Sequence, residues 1–164
     1  MEYKIMKPVC LVMGAGAGIG GNVARRFAKE GYHVGLCRRS DEEGLNKMVE
    51  SIENEGDSAS GYILNAVRDN SIEEIVAKIE TEKGAIEVVV YNLGAQIGDR
   101  GLADTSYKAF EIGWRLATFG LFRIASAVCP LMEERGKGTI IVTSATAAVR
   151  GNGGKHSHAS AMGG

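Results

Sequence analysis

Val9-Cys10-Leu11-Val12-Met13, followed at once by Gly14-Ala15-Gly16-Ala17-Gly18-Ile19-Gly20-Gly21, is the stretch that decides the fold. Its first five residues are an apolar run of strand length, the kind buried on both faces of a parallel sheet. After the glycines comes a segment of helical period over 18–30 that stops at Gly31. The glycines parse as G-x-x-x-G-x-G (Gly14, Gly18, Gly20) or as G-x-G-x-x-G (Gly16, Gly18, Gly21). Glycines alone also make ordinary tight turns. Between a hydrophobic strand and a helix they answer a chemical need, because backbone without side chains lets a pyrophosphate approach free N–H groups at the positive end of the helix dipole. The stretch predicts a nucleotide-binding loop in the first strand–helix–strand unit.

Outward from the loop, apolar runs of strand length recur at 34–37, 61–64, 86–91 and 139–143. Helix-period segments separate them at 41–55, 71–83 and 106–135. Gly31, Gly56, Gly84 and Gly136 each stand just past a helix, where a left-handed stop is expected. Strict alternation with right-handed crossovers gives an α/β fold: a Rossmann-type, doubly wound parallel sheet in three α/β/α layers, strand order 3-2-1-4-5. No repeat or linker divides residues 1–164, which read as a single domain. Residues 151–164 contain no finished helix in this reading, so the fold is expected to be incomplete at its C-terminus. The longest helix carries Phe110, Trp114, Ala117, Leu121, Ile124, Val128 and Leu131 at alternating spacings of four and three. Such a stripe is expected in the core and also offers a helix-to-helix subunit contact.

The second strand settles which nucleotide is expected. It ends at Cys37 and runs into Arg38-Arg39-Ser40, with no acid at its tip to hold the ribose hydroxyls. Asp41 reads instead as the cap of the next helix. The two arginines favour NADP(H) over NAD(H), although Ala17 offers no second cation from the glycine loop.

Composition excludes other classes. Of 164 residues 45% are hydrophobic, enough for one packed core, and 23 are glycine against 2 proline. The 19 basic and 20 acidic residues leave a net charge of −1, which gives no pull toward nucleic acid. The N-terminus lacks a cleavage pattern and no run of about 18 apolar residues stands out. A soluble, cytoplasmic protein without membrane insertion is expected. Cys10, Cys37 and Cys129 have neither metal nor redox spacing, lie in apolar segments, and read as reduced core thiols.

Gly14-x-x-x-Gly18-Ile19-Gly20, Val90-Tyr91-Asn92-Leu93-Gly94 and the run 139–144, Thr-Ile-Ile-Val-Thr-Ser, together resemble the short-chain dehydrogenase/reductase family along nearly the whole chain. The resemblance implies a Rossmann fold that binds NAD(P) and hydride transfer between nicotinamide and a carbonyl or alcohol carbon. It implies that Gly14, Gly16, Ala17, Gly18, Ile19 and Gly20 surround the pyrophosphate, and that Arg38, with Arg39 beside it, faces a 2′-phosphate. Asn65 and Ala66 would border adenine where the family commonly has Asp-Val, and Asn92 and Gly94 match the family's Asn-Asn-Ala-Gly.

The catalytic part departs from the family. Its Tyr position holds His158, its Lys position Met162, its Ser position Ala145 with Ser144 one residue earlier, and its helix Asn position Ala117; the run Gly151-Asn152-Gly153-Gly154 sets this alignment. The expected site is therefore Ser144 with His158 as general acid, since a histidine gives or takes a proton near neutral pH. His156 and His158 have no evident third ligand, so no metal is expected. The family also continues past this length, which makes the chain resemble its N-terminal two-thirds. The leading expectation is an atypical NADP(H)-favouring oxidoreductase acting on a small molecule of unread identity. Its rival is a catalytically silent Rossmann subunit of a larger assembly, and association through the long helix or with a partner subunit is expected in either case.

Overall fold

A computed structural model describes residues 6–94, 101–151, 153–154 and 156–164. The strands are β1 (Val9–Met13), β2 (His33–Arg38), β3 (Ser58–Ile63), β4 (Ile86–Tyr91) and β5 (Thr139–Val142). They form one sheet in the order β3-β2-β1-β4-β5 with every pair parallel, as the alternation of elements predicts. Helices α1 (Ile19–Lys29) and α2 (Glu42–Asn54) cover one face, where Ala24, Ala28, Leu45, Met48 and Ile52 pack on Cys10, Val12 and Leu36. Helices α3 (Ser71–Glu82) and α5 (Gly120–Glu134) cover the other, bringing Ile72, Ile79, Ile124 and Val128 against Leu11, Met13 and Val89. All five β1 residues are fully buried, so the glycine loop leaves the centre of the molecule. The helix-ending glycines have φ of 91°, 85°, 131° and 65° at Gly31, Gly56, Gly84 and Gly136, the left-handed stops expected of them.

The edges depart from the sequence reading. β3 starts three residues earlier than expected because Ser58 and Ser60 pair with His33 and Gly35 of β2. An edge strand has a solvated side, so polar residues alternate in it and the apolar-run criterion misses them. β5 is likewise not buried on both faces, since Thr139, Ile141 and Val142 are exposed. Residues 151–164 do hold a finished helix, α7 (His156–Gly163), after a short α6 (Ala147–Arg150). Docking completes it: Ser157 and Ala161 are buried, and Thr118 Oγ1 donates to the Ala161 carbonyl at 2.7 Å.

The long helical stretch is one rod with a fault in it. α4 (Tyr107–Trp114) passes through a π-helical turn, Arg115–Phe119, into α5. The wider turn rotates the stripe drawn across it, so Ala117, Ile124 and Val128 are buried while Phe110 and Trp114 stand 38% and 39% exposed. The Tyr91 hydroxyl donates to the Leu116 carbonyl inside this turn, satisfying an acceptor that the fault frees. The rod Tyr107–Glu134 reaches a mean hydropathy of 1.3 over its most apolar window and is by length and composition long and apolar enough to cross a membrane, although Arg115 and Arg123 interrupt its apolar run. In this fold the same rod carries Arg123, buried and paired with Glu73 of α3 at 2.5 Å. Cys129, expected in the core, is exposed, whereas Cys10 and Cys37 are buried and burial pushes both thiols up to about 12.

Candidate functional site at the strand ends

The glycine loop contains two kinds of glycine. At Gly14, with φ of 87°, an added Cβ would lie 2.7 Å from the Asn92 carbonyl oxygen. At Gly20 it would overlap the Gly14 carbonyl oxygen, and at Gly21 it would stand 2.5 Å from that of Gly16. These three are demanded by the fold. At Gly16 and Gly18 an added Cβ would meet nothing within 4 Å. Internal packing does not explain those two; their bare backbone faces outward, where an anion would approach.

The loop is held from behind. Gly14 and Ala15 donate their amides to the Cys37 carbonyl at 3.0 and 2.9 Å, and Asn92 Nδ2 donates to the Gly14 carbonyl at 3.1 Å. The amides of Ala17, Gly18 and Ile19 find no acceptor among the described residues. They open α1, whose first turn holds no acidic side chain. Free donors at a positive dipole end, beside open backbone, suit a pyrophosphate.

Around the loop, Met13, Gly14, Cys37, Arg38, Arg39, Leu64, Ala66, Leu93 and Leu116 line a hollow of about 30 Å³. It brings together β1, β2, β3 and β4 at their C-terminal ends, the crevice where such sheets take ligands. Asn65 is not part of that lining; its Oδ1 accepts the Val67 amide at 3.3 Å. Arg39 is exposed and makes no ion pair among the described residues. Arg38 is paired, its Nη2 lying 2.8 Å from Asp41 Oδ2. Asp41 also caps α2, as expected, by accepting the Gly44 amide at 3.0 Å.

The sequence reading missed the support beneath the loop that follows β3. Arg123 grips Glu73 through Nε at 2.9 Å and Nη2 at 2.5 Å, and its Nη1 donates to the carbonyls of Ala66 and Arg68 at 3.0 and 3.2 Å. Arg115 donates to the Val67 carbonyl at 3.1 Å. Two guanidinium groups of the long rod thus hold the loop that follows β3. The Arg123 hydrogen bond keeps the Glu73 carboxyl below its ordinary range. An arginine inside an apolar stripe was the available signal.

The second group lies where β5 ends. Ser144 lines a hollow of about 40 Å³ with Tyr91, Ala117, Thr118, Thr143, Ala161 and Met162 among others. Met162 also approaches Gly94, with 3.3 Å from its sulfur to a Cβ built there. His158 lies on α7 but not in that lining, and its Nδ1 is buried without a hydrogen-bond partner among the described residues. The structure brings Ser144, Ala117 and Met162 together and leaves His158 beside them. Asn152 lies outside the described residues. Among the described residues, no three His, Cys, Asp or Glu side chains are grouped as metal ligands.

The family description short chain dehydrogenase matches residues 8–163. The chain is 29% identical over 156 residues to the 3-oxoacyl-(acyl-carrier-protein) reductase FabG of Thermotoga maritima, covering 95% of this chain and 63% of that protein. It is 29% identical over 140 residues to the 2,3-dihydro-2,3-dihydroxybenzoate dehydrogenase of Bacillus subtilis, covering 85% of this chain and 53% of that one. Among solved structures, an actinorhodin polyketide ketoreductase with NADPH superposes with a TM-score of 0.88 at 30% identity, over 96% of this chain and 60% of the other. An NAD+-bound xylitol dehydrogenase gives 0.88 at 27% identity, over 98% and 61%.

Proposed function

The chain belongs to the short-chain dehydrogenase family, and we propose that it binds NAD(P)(H), favours NADP(H), and serves hydride transfer between a carbonyl and an alcohol carbon. The observation that carries this reading is the open backbone at Gly16 and Gly18 beside three amides without acceptors among the described residues. Ala17, Gly18 and Ile19 would donate to the pyrophosphate. Gly14 and Gly20 shape the turn, Arg39 and Arg38 would meet a 2′-phosphate, Asn65 and Ala66 would border adenine, and Asn92 and Gly94 would flank the nicotinamide side. When bound, the dinucleotide supplies or accepts the hydride. The chain's own residues then orient the substrate and move the proton: the Ser144 hydroxyl donates a hydrogen bond to the substrate oxygen, and His158 gives that oxygen its proton after reorienting toward the hollow. The substrate is a small carbonyl compound or alcohol. A cytoplasmic setting and self-association along the exposed aromatic flank of Trp114 and Phe122 complete the reading.

One observation favours a second reading, a catalytically silent subunit. Met162 fills the place of a charged neighbour with a thioether, which lowers no proton donor's pKa. NADPH oxidation by the full-length protein with a panel of simple carbonyls separates the two. The enzymatic reading expects turnover in the parent and a loss of about 10²- to 10⁴-fold in His158→Phe with cofactor affinity retained. Parental turnover in His158→Phe removes His158 from the chemistry, and no turnover with any carbonyl favours the silent subunit. His158→Tyr combined with Met162→Lys is expected to exceed either single change, since an ammonium beside a phenol favours the phenolate.

A further inference from the structure

The crevice beside the glycine loop lies at the carboxyl ends of the strands and measures about 30 Å³. A far larger hollow, about 450 Å³, lies at the opposite end of the sheet, where β2 and β3 begin and α2 and α3 finish. That is within the size range of small-molecule sites. No residue assigned above to cofactor or substrate lines it, so the dinucleotide reading gives this cleft no task.

Its lining contains a buried side chain with an unmet hydrogen bond. His33 opens β2, Ser58 opens β3, and the parallel register sets them side by side, His33 Nδ1 lying 2.7 Å from Ser58 Oγ. The imidazole is 7% exposed, and its Nε2 has no hydrogen-bond partner among the described residues. Burial, with Lys83 and Lys7 nearby, holds its pKa down at about 4, so the ring is neutral near pH 7. A neutral imidazole has one donor nitrogen and one acceptor nitrogen; whichever role Ser58 fixes on Nδ1, Nε2 is left with the other. Buried polar atoms in folded proteins are rarely left so.

The same lining carries charges of both signs, Lys7, Lys83, Glu53 and Glu82. None of the four makes an ion pair among the described residues, whereas Lys29 and Glu55 close by do. Glu53 stands in the last turn of α2 and Glu82 closes α3, and neither last turn holds a basic side chain. Helix C-termini carry partial negative charge and favour a cation. An ammonium therefore answers the two carboxylates and helix ends, and a carboxylate answers the two lysines beside His33. We propose that this cleft is a second binding site, separate from the dinucleotide crevice, and that its ligand is a free amino acid. The ligand carboxylate lies between Lys7 and Lys83 and accepts a hydrogen bond from His33 Nε2, while its ammonium meets Glu53 and Glu82. The proton is then on Nε2, and the Ser58 hydroxyl donates to Nδ1. The head groups carry the recognition, and the remaining volume takes the side chain.

Imidazole proton–nitrogen NMR of the full-length protein tests this, with the His33 signal assigned by its loss in His33→Asn. The probes are L-alanine, propionate and ethylamine, which share a two-carbon frame and carry both charges, the carboxylate alone and the ammonium alone. L-Alanine is expected to move the Nε2 signal saturably, with affinity at least about tenfold above either single-charge probe. Lys7→Met with Lys83→Met, and separately Glu53→Gln with Glu82→Gln, are expected to weaken L-alanine about tenfold or more. Lys7, Glu53 and Glu82 are exposed and Lys83 is half-buried, so both paired variants should keep the parental near-ultraviolet circular dichroism. No saturable movement with L-alanine overturns the proposal. Equal affinity for propionate or ethylamine overturns it as well, and so does parental L-alanine affinity in both paired variants.

Discussion

The glycine loop after β1 and the segment after β5 both sit at strand ends of one sheet, but they are held by different means. β1 is buried along its whole length, and the backbone of its loop is tied to β2 through Cys37 and to β4 through Asn92. β5 lies at the sheet edge with three of its four residues exposed; its continuation is tied back through Thr143, whose amide donates to the Tyr91 carbonyl at 3.0 Å, and through Thr118 of the π turn, which donates to the Ala161 carbonyl of α7. A central strand leaves its loop one conformation, and the glycines there are the direct consequence. The edge segment is placed by side-chain docking instead, and it carries His158 and Met162 on α7, where Met162 lies with Ala117 of the π turn in one hollow.

Breaking the rigid side of this comparison gives the largest effect. Gly20→Val puts a branched side chain against the Gly14 carbonyl, so loss of folded protein, or destabilisation by about 3 kcal/mol or more, is expected in urea unfolding. A parental unfolding midpoint would show that the loop does not pack as described. The opposite end of the sheet supplies a pH test. Burial chiefly, with Lys83 and Lys7 nearby, lowers His33 from the ordinary 6.5 to about 4. The unfolded chain takes up this proton near 6.5 and the folded protein refuses it until about 4. Stability is therefore complete above pH 6.5 and declines by roughly 3 kcal/mol as pH falls to 4. In His33→Asn that part of the decline should vanish, and an unaltered pH profile would assign it elsewhere.

A smaller effect sharpens the link between the rod and the nucleotide side. Arg123→Met removes the side-chain donor of the Ala66 carbonyl and the partner of the Glu73 carboxylate, while the Arg68 carbonyl keeps the Ser71 hydroxyl, a cost of about 1–3 kcal/mol by thermal or urea unfolding. Dinucleotide affinity is expected to weaken with it, since Ala66 lines the crevice proposed to hold the nucleotide. Unchanged stability and unchanged affinity would make the guanidinium a bystander.

The central sheet was legible because β1 is an unbroken apolar run, β4 is apolar but for Glu87, and the helices end on glycines that all adopt positive φ. The edge strand β3 was read short because Ser58 and Ser60 look like loop residues until β2 pairs with them. α7 was invisible because its stability comes from contacts distant in sequence, such as Thr118 with Ala161. The π turn at Leu116 carries no local pattern; its partner, Tyr91, arrives from another strand. At the candidate site, the glycine turn between β1 and α1 was legible from spacing alone, whereas the pairing of Arg38 with Asp41 was not, because a capping aspartate and an ion-paired one look the same in a sequence.

The central claim is that Gly16 and Gly18 are open for a ligand and not for the fold. Calorimetric titration of NADPH and NADH into the full-length parent and Gly18→Val tests it most directly, with urea unfolding run on both. The account predicts that the parent binds dinucleotide, and that Gly18→Val folds with parental stability and loses at least about 100-fold in affinity, roughly 2.7 kcal/mol. Equal affinity in parent and variant, or a variant that fails only because it no longer folds, would contradict it.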